Sequence, residues 1–301
     1  MIKNFTYSNR IALSVIIPCL NEEKNISTQL KALAKQTWHH TWEIIVSDNG
    51  SIDNTISVVK NFMKILPNLR IVDASKRKGQ PFALNTGVKE AKGDSVVFCD
   101  ADDEVAPGWV SAMGEALFKY DFIACRTEIK KLNPSWVLKS RKNPQENGVQ
   151  MYKYPPFLPH AGGGTIGIKK WLFNQVGGFD ENFPMLHDTD LCWKVQMKGI
   201  KLQFVPEAVI HIKFRDSIDS IFRQACGYGE YNVKIYKKYI PHGMPRISKK
   251  ESLYNIKKFM LYLYQYIRCS GSLENKAYLA WQVGWFWGRI KGSIKYKVFA
   301  V

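Results

Sequence analysis

Short apolar runs alternate with amphipathic stretches through the first hundred residues, and this alternation predicts strands and helices in turn. After the first run, Asn21 precedes Glu22 and Glu23, which is typical of a helix N-cap with acidic first-turn residues, and Leu30 and Leu33 continue at helical spacing. The predicted strands are residues 13–17, 42–47, 69–72 and 95–99. Strand, helix and strand within about thirty residues require parallel pairing, which predicts an α/β fold with a doubly wound, mostly parallel sheet flanked by helices. Functional residues are expected where the strands end.

The pattern is less regular after residue 120. We expect a strand at 122–125, long surface loops at 128–160, ordered segments at 169–176 and 188–197, and a pair of strands at 202–205 and 209–212. From about residue 217 onward the pattern is mainly helical and rich in aromatic residues.

The composition is that of an ordinary globular chain, with 301 residues of which 46% are hydrophobic. Six cysteines without a Cys-x-x-Cys pair are typical of reduced core residues, no signal-peptide pattern is evident, and no apolar run reaches the ~20 residues of a membrane-spanning helix. These features predict a cytoplasmic protein. The net charge is +17, and residues 236–301 hold 13 Lys or Arg against two Glu, a net of +11. Such a basic surface attracts nucleic acid, anionic lipid or acidic substrates.

The most informative polar residues are Asp100 and Asp102, which directly follow the apolar run at 95–99. At the carboxyl end of a strand, alternate carboxylates can share one hard cation in the crevice where open α/β sheets bind ligands. A metal-diphosphate site is therefore one interpretation. A solvated acidic turn is the other.

Four segments occur in order along the chain, and they read SVIIPCLNE at 14–22, VSDNGSIDNT at 46–55, FCDADD at 98–103 and HDTDL at 187–191. Their order and spacing resemble the family 2 glycosyltransferases with the GT-A fold, over roughly residues 11–235. The resemblance implies three parts: a nucleotide-sugar-binding half at 1–105, an acceptor-binding and catalytic half of the same domain at 106–235, and a helical, basic, aromatic C-terminal extension at 236–301.

The resemblance implies a donor site for a sugar nucleotide at the strand ends. The residues it assigns to the nucleotide are Pro18, Asn21, Glu22, Asp48, Asn49, Lys78, Asn85, Asp100 and Ala101. The Asn49 amide can donate and accept, which suits a nucleobase edge, although an Asx-turn is the alternative role for this loop. The residues it assigns to Mn²⁺ or Mg²⁺ on the donor diphosphate are Asp100, Asp102 and His211.

The same resemblance implies that Asp188 is the general base, with Asp190 as the alternative if the register is shifted, and each carboxylate could instead cap its helix. The residues assigned to the acceptor and sugar pocket are Gly162, Gly163, Gly164, His187 and Asp190. The glycines also form a Gly-x-Gly-x-x-Gly match, but three prolines precede it where the dinucleotide fingerprint needs a strand. Arg215 and Arg223 are either phosphate contacts or solvated residues of a surface helix.

The C-terminal extension contains an apolar segment at 277–287 with Trp281, Trp285 and Trp287, followed by four Lys or Arg. Tryptophan beside a basic cluster suits an interfacial anchor on anionic lipid. The alternative is a helix hairpin, formed with residues 253–267, that packs on the catalytic domain.

Together these features predict an inverting glycosyltransferase that moves a sugar from a nucleoside-diphosphate sugar, UDP-sugar favoured, to a lipid-linked or saccharide acceptor. The expected setting is cell-surface polysaccharide or glycolipid assembly, in the cytoplasm or peripherally at the inner face of the membrane. Two alternatives are a sugar-phosphate nucleotidyltransferase, which should show a Gly-rich basic loop after its first strand, and a non-catalytic basic module binding membrane or nucleic acid. The module leaves the carboxylates unexplained, and nucleic acid is the less expected partner.

Overall fold

The computed structural model describes residues 10–269 and 271–300, and an eight-stranded mixed sheet forms its centre. The strands are β1 (Leu13–Cys19), β2 (Trp42–Asp48), β3 (Leu69–Asp73), β4 (Ser95–Phe98), β5 (Glu104–Val105), β6 (Phe122–Glu128), β7 (Gln150–Lys153), β8 (Pro156–His160), β9 (Ile166–Lys169) and β10 (Gln203–His211). In the large sheet their order is β3-β2-β1-β4-β9-β6-β10-β5, and β7 pairs with β8 separately.

The first four strands are parallel, as their spacing predicts. Strand β1 pairs in parallel with β2 on one side and with β4 on the other, and every residue of β1 is buried. Such two-faced burial explains why these strands are continuous apolar runs rather than alternating ones. Because the strands run in parallel, the carboxyl ends of β1, β2 and β4 meet at one edge of the sheet.

Helices cover both faces of the sheet. They are α1 (Ile26–Ala34), α2 (Thr55–Phe62), α3 (Gln80–Glu90), α4 (Trp109–Lys119), α5 (Ser135–Ser140), α6 (Lys170–Gln175), α7 (His187–Gln196), α8 (Ile218–Tyr239), α9 (Lys249–Ile267) and α10 (Leu273–Tyr296). Helices α1, α2 and α4 share one apolar core with the sheet, and α3, α6, α7 and α8 share a second core on the opposite face. This layering confirms the predicted α/β class.

The segment at 128–160 is more ordered than the predicted surface loops, because it contains α5 and the β7–β8 hairpin. Gln145, fully buried, donates its side-chain amide to the carbonyl of Cys125 at 2.6 Å and to Thr165 Oγ1 at 2.8 Å. This amide ties the segment to the sheet. The segment before the three glycines is a short strand, β8, which contains two of the prolines. This strand belongs to the separate hairpin and not to a βαβ unit.

The strand pair predicted at 202–205 and 209–212 is wrong, because a single strand, β10, covers both runs. Its pairing with β6 shifts register between Val205 and Val209, where Pro206 and Glu207 are exposed. The proline suggests, from the sequence alone, that the strand ends there. A bulge of this kind lets the strand continue through the proline.

The C-terminal extension forms the predicted helix hairpin and packs on the rest of the protein through α10. Helices α8 and α10 approach so closely that a Cβ added at Gly288 would lie 2.0 Å from the carbonyl oxygen of Cys226, and one at Gly229 would lie 2.0 Å from that of Trp285. Helix α8 itself runs continuously through the predicted boundary at 236. None of the helices in residues 10–269 and 271–300 is long and apolar enough to cross a membrane.

Candidate active site

The loops that follow β1 and β2 are held together by hydrogen bonds between them. The backbone N–H of Asn21 donates to Ser51 Oγ at 2.9 Å, its side-chain oxygen accepts from the N–H of Ile52 at 2.9 Å, and the N–H of Glu22 donates to Thr55 Oγ1 at 2.7 Å. Asn21 has a φ of +57°, which an asparagine tolerates better than most residues. Two rigid loops therefore border the same crevice, as predicted from the strand ends.

Asp48 is the last residue of β2 and accepts hydrogen bonds from the N–H groups of Gly50 and Ser51 at 3.2 Å. This is the Asx-turn that was the alternative role of the loop, and it fixes the carboxylate at the crevice wall. Pro18 is buried within β1, opposite Ser47. Lys78 reaches back across the loop, with Nζ 3.2 Å from the carbonyl oxygens of Asn49 and Gly50.

The predicted nucleobase contact at Asn49 is not supported, because both N–H donors and the oxygen of its amide bind other parts of the protein. It donates to the carbonyls of Ala74 and Arg77 at 2.6 and 2.7 Å and accepts from the N–H of Gly79 at 2.8 Å, and the residue is 2% exposed. Two donors and one acceptor are what an amide offers and a carboxylate does not. Asn49 therefore anchors the loop that carries Lys78.

Asn85 is likewise occupied by a neighbouring loop rather than directed at a ligand. Its amide accepts from the N–H of Phe179 and donates to the carbonyl of the same residue, both at 2.9 Å, and it donates to Glu181 at 3.2 Å. It borders a polar cavity of about 710 Å³ that Arg77 and Asp180 also line. The predicted direct nucleotide contact is replaced by a role in shaping this loop.

The Asp-x-Asp segment follows β4 and enters the crevice from below the loops of β1 and β2. Asp100 Oδ1 accepts from Gln80 Nε2 at 2.8 Å, and its carbonyl oxygen accepts from the buried Gln29 at 3.1 Å. Burial, together with the charges of Asp102 and Asp188, raises the pKa of Asp100 to about 7. Several negative charges thus act on Asp100, which favours a cation there.

Asp102 and its neighbours connect this segment to the chain that follows β10. Asp102 Oδ2 lies 3.7 Å from Arg215, whose side chain is about half exposed, and Asp103 accepts from the N–H of Lys213 at 2.8 Å. Ala101 is buried beneath them. Burial, with the charges of Asp100 and Asp102, raises the pKa of Asp103 well above its ordinary value. Asp103 is therefore a buried structural tie that the motif did not single out.

Asp188 opens α7 and faces the three-glycine segment. Its Oδ2 accepts from the N–H of Gly163 at 3.0 Å and its Oδ1 from the N–H of Thr189 at 2.7 Å. A Cβ added at the next residue, Gly164, would lie 3.0 Å from Asp100 Oδ2. Adjacent residues therefore contact the predicted base and the predicted metal ligand, and at Gly164 a side chain would crowd Asp100.

His187 lies behind the base and not in open space. It is 6% exposed, its ring packs edge-on against Phe179 with 5.3 Å between centroids, and burial lowers its pKa. A neutral imidazole at this position supports the start of α7 without adding a charge to the pocket.

The placement of Asp190 in the pocket is wrong, and so is its use as an alternative base. The residue is fully buried on the other side of α7, where it lies 2.6 Å from Lys238 Nζ and accepts from the hydroxyl of Tyr239 at 2.9 Å. Two residues along a helix point about 200° apart, so Asp188 and Asp190 cannot serve the same cavity. Asp190 is a structural ion-pair partner of α8.

His211 ends β10, and its Nδ1 lies 2.7 Å from Glu128 Oε2. This contact leaves Nε2 as the nitrogen that can face a ligand. Within residues 10–269 and 271–300, the one His, Cys, Asp and Glu group whose ligand atoms all lie within 4.8 Å of one another is His39, His40 and Glu115, on the surface. Asp100, Asp102 and His211 are more widely spaced than that.

Arg223 does not contact the crevice, because its exposed side chain pairs with Asp219 at 2.6 Å, one turn earlier on α8. The solvated alternative is therefore the correct one for this residue. Tyr228 is closer to the chemistry, and Arg141 lies near Tyr228. Tyr228 is partly buried near Asp188, and desolvation and that charge raise its pKa to about 12. Arg141 lies between the rings of Phe214 and Trp281, 4.4 and 4.1 Å from their centroids.

No local motif marks Gln29, Gln80 or Arg141 in the sequence, because each acts through contacts far along the chain. Tyr228 follows the expected catalytic segment, but nothing in its sequence neighbourhood indicates that it lies near Asp188. Gln29 and Gln80 belong to the site through their hydrogen bonds to Asp100, Tyr228 through its proximity to Asp188, and Arg141 lies near Tyr228.

Comparison with known proteins identifies the family of the chain. The model of glycosyl transferase family 2 matches residues 14–177, which is more than half of the chain. The chain belongs to glycosyl transferase family 2. It is therefore a glycosyltransferase, and the family implies an inverting mechanism. A nucleotidyltransferase or a non-catalytic basic module does not fit this membership.

Individual relatives are similar over parts of their length. The uncharacterized glycosyltransferase YibD of Escherichia coli is 39% identical over 95 residues, which are 32% of this chain and 27% of that protein. The UDP-Glc:α-D-GlcNAc-diphosphoundecaprenol β-1,3-glucosyltransferase WfgD of Escherichia coli is 26% identical over 212 residues, 69% of this chain and 79% of that protein. The first match thus spans about a quarter of its relative, and the second spans most of it.

The fold is also that of solved glycosyltransferases. The mannosyltransferase PcManGT from Pyrobaculum calidifontis, in complex with GDP-Man and Mn²⁺, superimposes with a TM-score of 0.65 at 18% sequence identity, covering 95% of this chain and 88% of that one. At this identity the likeness establishes the GT-A fold with its C-terminal helical region, as predicted.

Proposed function

We propose that this enzyme transfers a sugar from a UDP-sugar to a hydroxyl of a lipid-linked or saccharide acceptor, with inversion at the anomeric carbon. The observation that carries the proposal is the approach of Asp188 and Asp100 to adjacent glycines, Gly163 and Gly164. A base and a diphosphate site on one strip of backbone are what a single displacement between two substrates requires.

The donor nucleotide fits the crevice between the loops of β1 and β2. Asp48 and Glu22 present carboxylate oxygens there, and Asn21 and the Pro18 backbone form the adjoining wall. Carboxylates accept hydrogen bonds from ribose hydroxyls and base N–H groups. The UDP preference is supported by the relative WfgD, whose name specifies UDP-Glc, whereas the fold neighbour PcManGT holds GDP-Man.

Asp188 is the proposed general base. The N–H groups of Gly163 and Thr189 each bind one of its oxygens, so the carboxylate is oriented before an acceptor arrives. It takes the proton of the acceptor hydroxyl as that oxygen bonds to the anomeric carbon, and the bond from this carbon to the diphosphate oxygen breaks on the opposite face. No covalent enzyme intermediate is needed, because one displacement inverts the centre.

The residues present fit a divalent cation, Mn²⁺ or Mg²⁺. Burial is the main cause that raises the pKa of Asp100, and the negative charges of Asp102 and Asp188 raise it further. Oxygen donors are what both cations prefer, so Asp100 and Asp102 would hold the metal, with His211 Nε2 as a candidate further ligand. When bound, the cation would stabilise the charge on the leaving diphosphate. Mn²⁺ in PcManGT supports this assignment.

We assign Arg215 and Lys78 to the donor phosphates. Arg215 already contacts Asp102, and Lys78 lies on the loop that Asn49 anchors. With the donor in place, Arg215 can exchange the carboxylate for a phosphate oxygen, which its guanidinium binds well.

The proposed setting is cell-surface polysaccharide or glycolipid assembly, in the cytoplasm or peripherally at the inner membrane face. The relative WfgD acts on a diphosphoundecaprenol-linked sugar by its name, which supports a lipid-linked acceptor.

Release of nucleoside diphosphate from UDP-, GDP- and dTDP-sugars with Mn²⁺ tests the proposal without knowledge of the acceptor. We expect slow hydrolysis of a UDP-sugar, and Asp188→Asn should lower it by about a hundredfold to ten-thousandfold while nucleotide binding is retained. Asp219→Ala, at an exposed carboxylate of α8, is the matched control and should hydrolyse like the wild type. Equal hydrolysis by Asp188→Asn and wild type would refute the role of Asp188.

A further inference from the structure

One side of α9 exposes apolar side chains along its whole length. The residues of this α9 face are Leu253, Tyr254, Met260, Leu261, Tyr264 and Ile267, each more than half exposed. They recur at intervals of seven, four and three residues, which places them on one side of a helix. The opposite side, with Phe259, packs against Phe286 of α10. The face is therefore a continuous stripe and not scattered single residues.

A stripe of this kind is unusual on an isolated soluble domain, since contiguous exposed apolar patches generally mark interaction surfaces. The expected anchor at 277–287 does not provide one. Trp281 packs beside Tyr228, and Trp285 lies against Tyr154 with 4.6 Å between centroids. Only Trp287 among these three tryptophans is exposed, at 42%. Among the described residues of the extension, α9 carries more of the exposed large apolar side chains than the rest of the extension does.

The charges around the α9 face are mostly positive. Residues 249–268 contain five Lys or Arg and a single acidic residue, a net of +4. That residue, Glu251, is used in a capping box with Ser248 at the start of the helix. Lys257 lies within the exposed side, and the Arg268 guanidinium lies 5.2 Å from the ring of Tyr264. An anionic partner is therefore complementary to this face.

We propose that the α9 face binds an anionic lipid surface, with its apolar side chains in the interfacial region and its basic residues at the headgroups. Leucine, methionine, isoleucine and tyrosine on one side of a basic helix are typical of interfacial helices. A second copy of this chain would bring like charges together across a twofold interface. Nucleic acid would gain from the lysines but not from the apolar stripe.

Binding through the α9 face would give the proposed enzyme a membrane location, and the use of that location rests on the proposed function. The last turn of α9 reaches the start of α8, because Tyr266 packs in one apolar cluster with Ile218 and Phe222. Ile218 is three residues from Arg215, which contacts Asp102 in the crevice. An enzyme docked through α9 would thus hold its crevice near the surface in which a lipid-linked acceptor is embedded.

Co-sedimentation of the full chain with phosphatidylcholine vesicles, with and without phosphatidylglycerol, tests the proposal. We expect binding to the vesicles that contain phosphatidylglycerol, and binding should weaken as salt rises. The double variant Met260→Glu/Tyr264→Glu should lose it, and Lys257→Glu/Lys258→Glu should lower the partition coefficient by about fivefold or more per lysine. Ile65→Glu, at an exposed isoleucine on the α2–β3 connection, is the matched control and should bind like the wild type.

Absence of binding to either vesicle, or equal loss in Ile65→Glu and in the α9 variants, would overturn the proposal. So would a dimer of the wild type that Met260→Glu/Tyr264→Glu dissociates, without vesicle binding, since a second copy would then cover the face. Nucleotide binding by the α9 variants, measured by calorimetry without vesicles, separates the two claims. A chain that binds UDP but no vesicle contradicts only the lipid surface, and one that binds vesicles but no nucleotide contradicts only the donor site.

Discussion

Substitution of Gly288 by alanine perturbs the contact that joins the C-terminal extension to the catalytic fold. The added Cβ would lie 2.0 Å from the carbonyl oxygen of Cys226 and 2.8 Å from the N–H nitrogen of Glu230, both backbone atoms of α8. Backbone atoms cannot rotate away, so α8 and α10 must separate by about 1 Å to restore normal contact. Neighbouring side chains then lose part of their packing.

The expected cost follows from two opposing effects. Overpacking of this kind destabilises by about 1–3 kcal/mol or more, whereas replacing glycine by alanine within a helix stabilises by about 1 kcal/mol. Because both overlapping atoms are backbone, the clash should dominate, and we expect a net loss of about 2 kcal/mol. For a chain of this size that is a fall in Tm of about 3 °C.

Thermal unfolding followed by circular dichroism measures this change. Gly292→Ala should cost less, because its added Cβ would lie 2.7 Å from the carbonyl oxygen of Glu230. Lys291→Ala, at an exposed position of α10, is the matched control and should shift the free energy of unfolding by less than about 0.5 kcal/mol. A Gly288→Ala protein as stable as the wild type would show that α10 does not pack on α8 at this distance.

Three further predictions concern the crevice. Gly164→Ala should weaken binding of the nucleotide with Mn²⁺ by about tenfold or more in calorimetry, since its Cβ would crowd Asp100; unchanged affinity would contradict this geometry. Asp190→Ala should lower the free energy of unfolding by about 2–3 kcal/mol, because it leaves Lys238 without its buried partner, and a loss of activity at full stability would instead return Asp190 to the pocket. Burial and neighbouring carboxylates raise the pKa of Asp100 from 3.8 to about 7, so between those values the folded chain holds a proton that the unfolded chain releases. Without metal, the free energy of unfolding should therefore fall as pH rises through this range, and Mn²⁺ affinity should increase by up to about tenfold per pH unit; pH-independent affinity would oppose the assignment.

The sequence predicted the sheet edge well because parallel strands and their terminal carboxylates are local features. The strand at 95–98 and the position of Asp100 both follow from an apolar run that meets acidic residues, and no long-range contact is needed to see this. Membership in glycosyl transferase family 2 confirmed the family resemblance, and the family model covers the first three of the four segments.

Roles that depend on the partner of a side chain were harder to predict. Asn49 and Asp190 carry the right chemistry for a ligand, but the carbonyl of Ala74 and the ammonium of Lys238 occupy them in the fold. Periodicity within α7 could have separated Asp188 from Asp190, since residues two apart on a helix face different ways. The sequence does not specify which distant group lies beside either residue.

The C-terminal helices show the same limit. Glycines 284, 288 and 292 are spaced four apart, which signals a close helix contact, yet nothing in the spacing names α8 as the partner. The tryptophans at 277–287 suggested a lipid anchor, but they lie on α10, which packs against the rest of the protein. The exposed stripe on α9 became visible only once the partners of α10 were known.

The donor site is tested most directly by calorimetric titration of UDP, GDP and dTDP, with and without Mn²⁺, into the wild type and Asp102→Ala. We predict that UDP binds, that its binding requires Mn²⁺, and that Asp102→Ala loses it while Asp219→Ala does not. Binding of no nucleotide by the folded wild type, or equal metal-dependent binding by Asp102→Ala, would contradict the assignment of the donor site to this crevice.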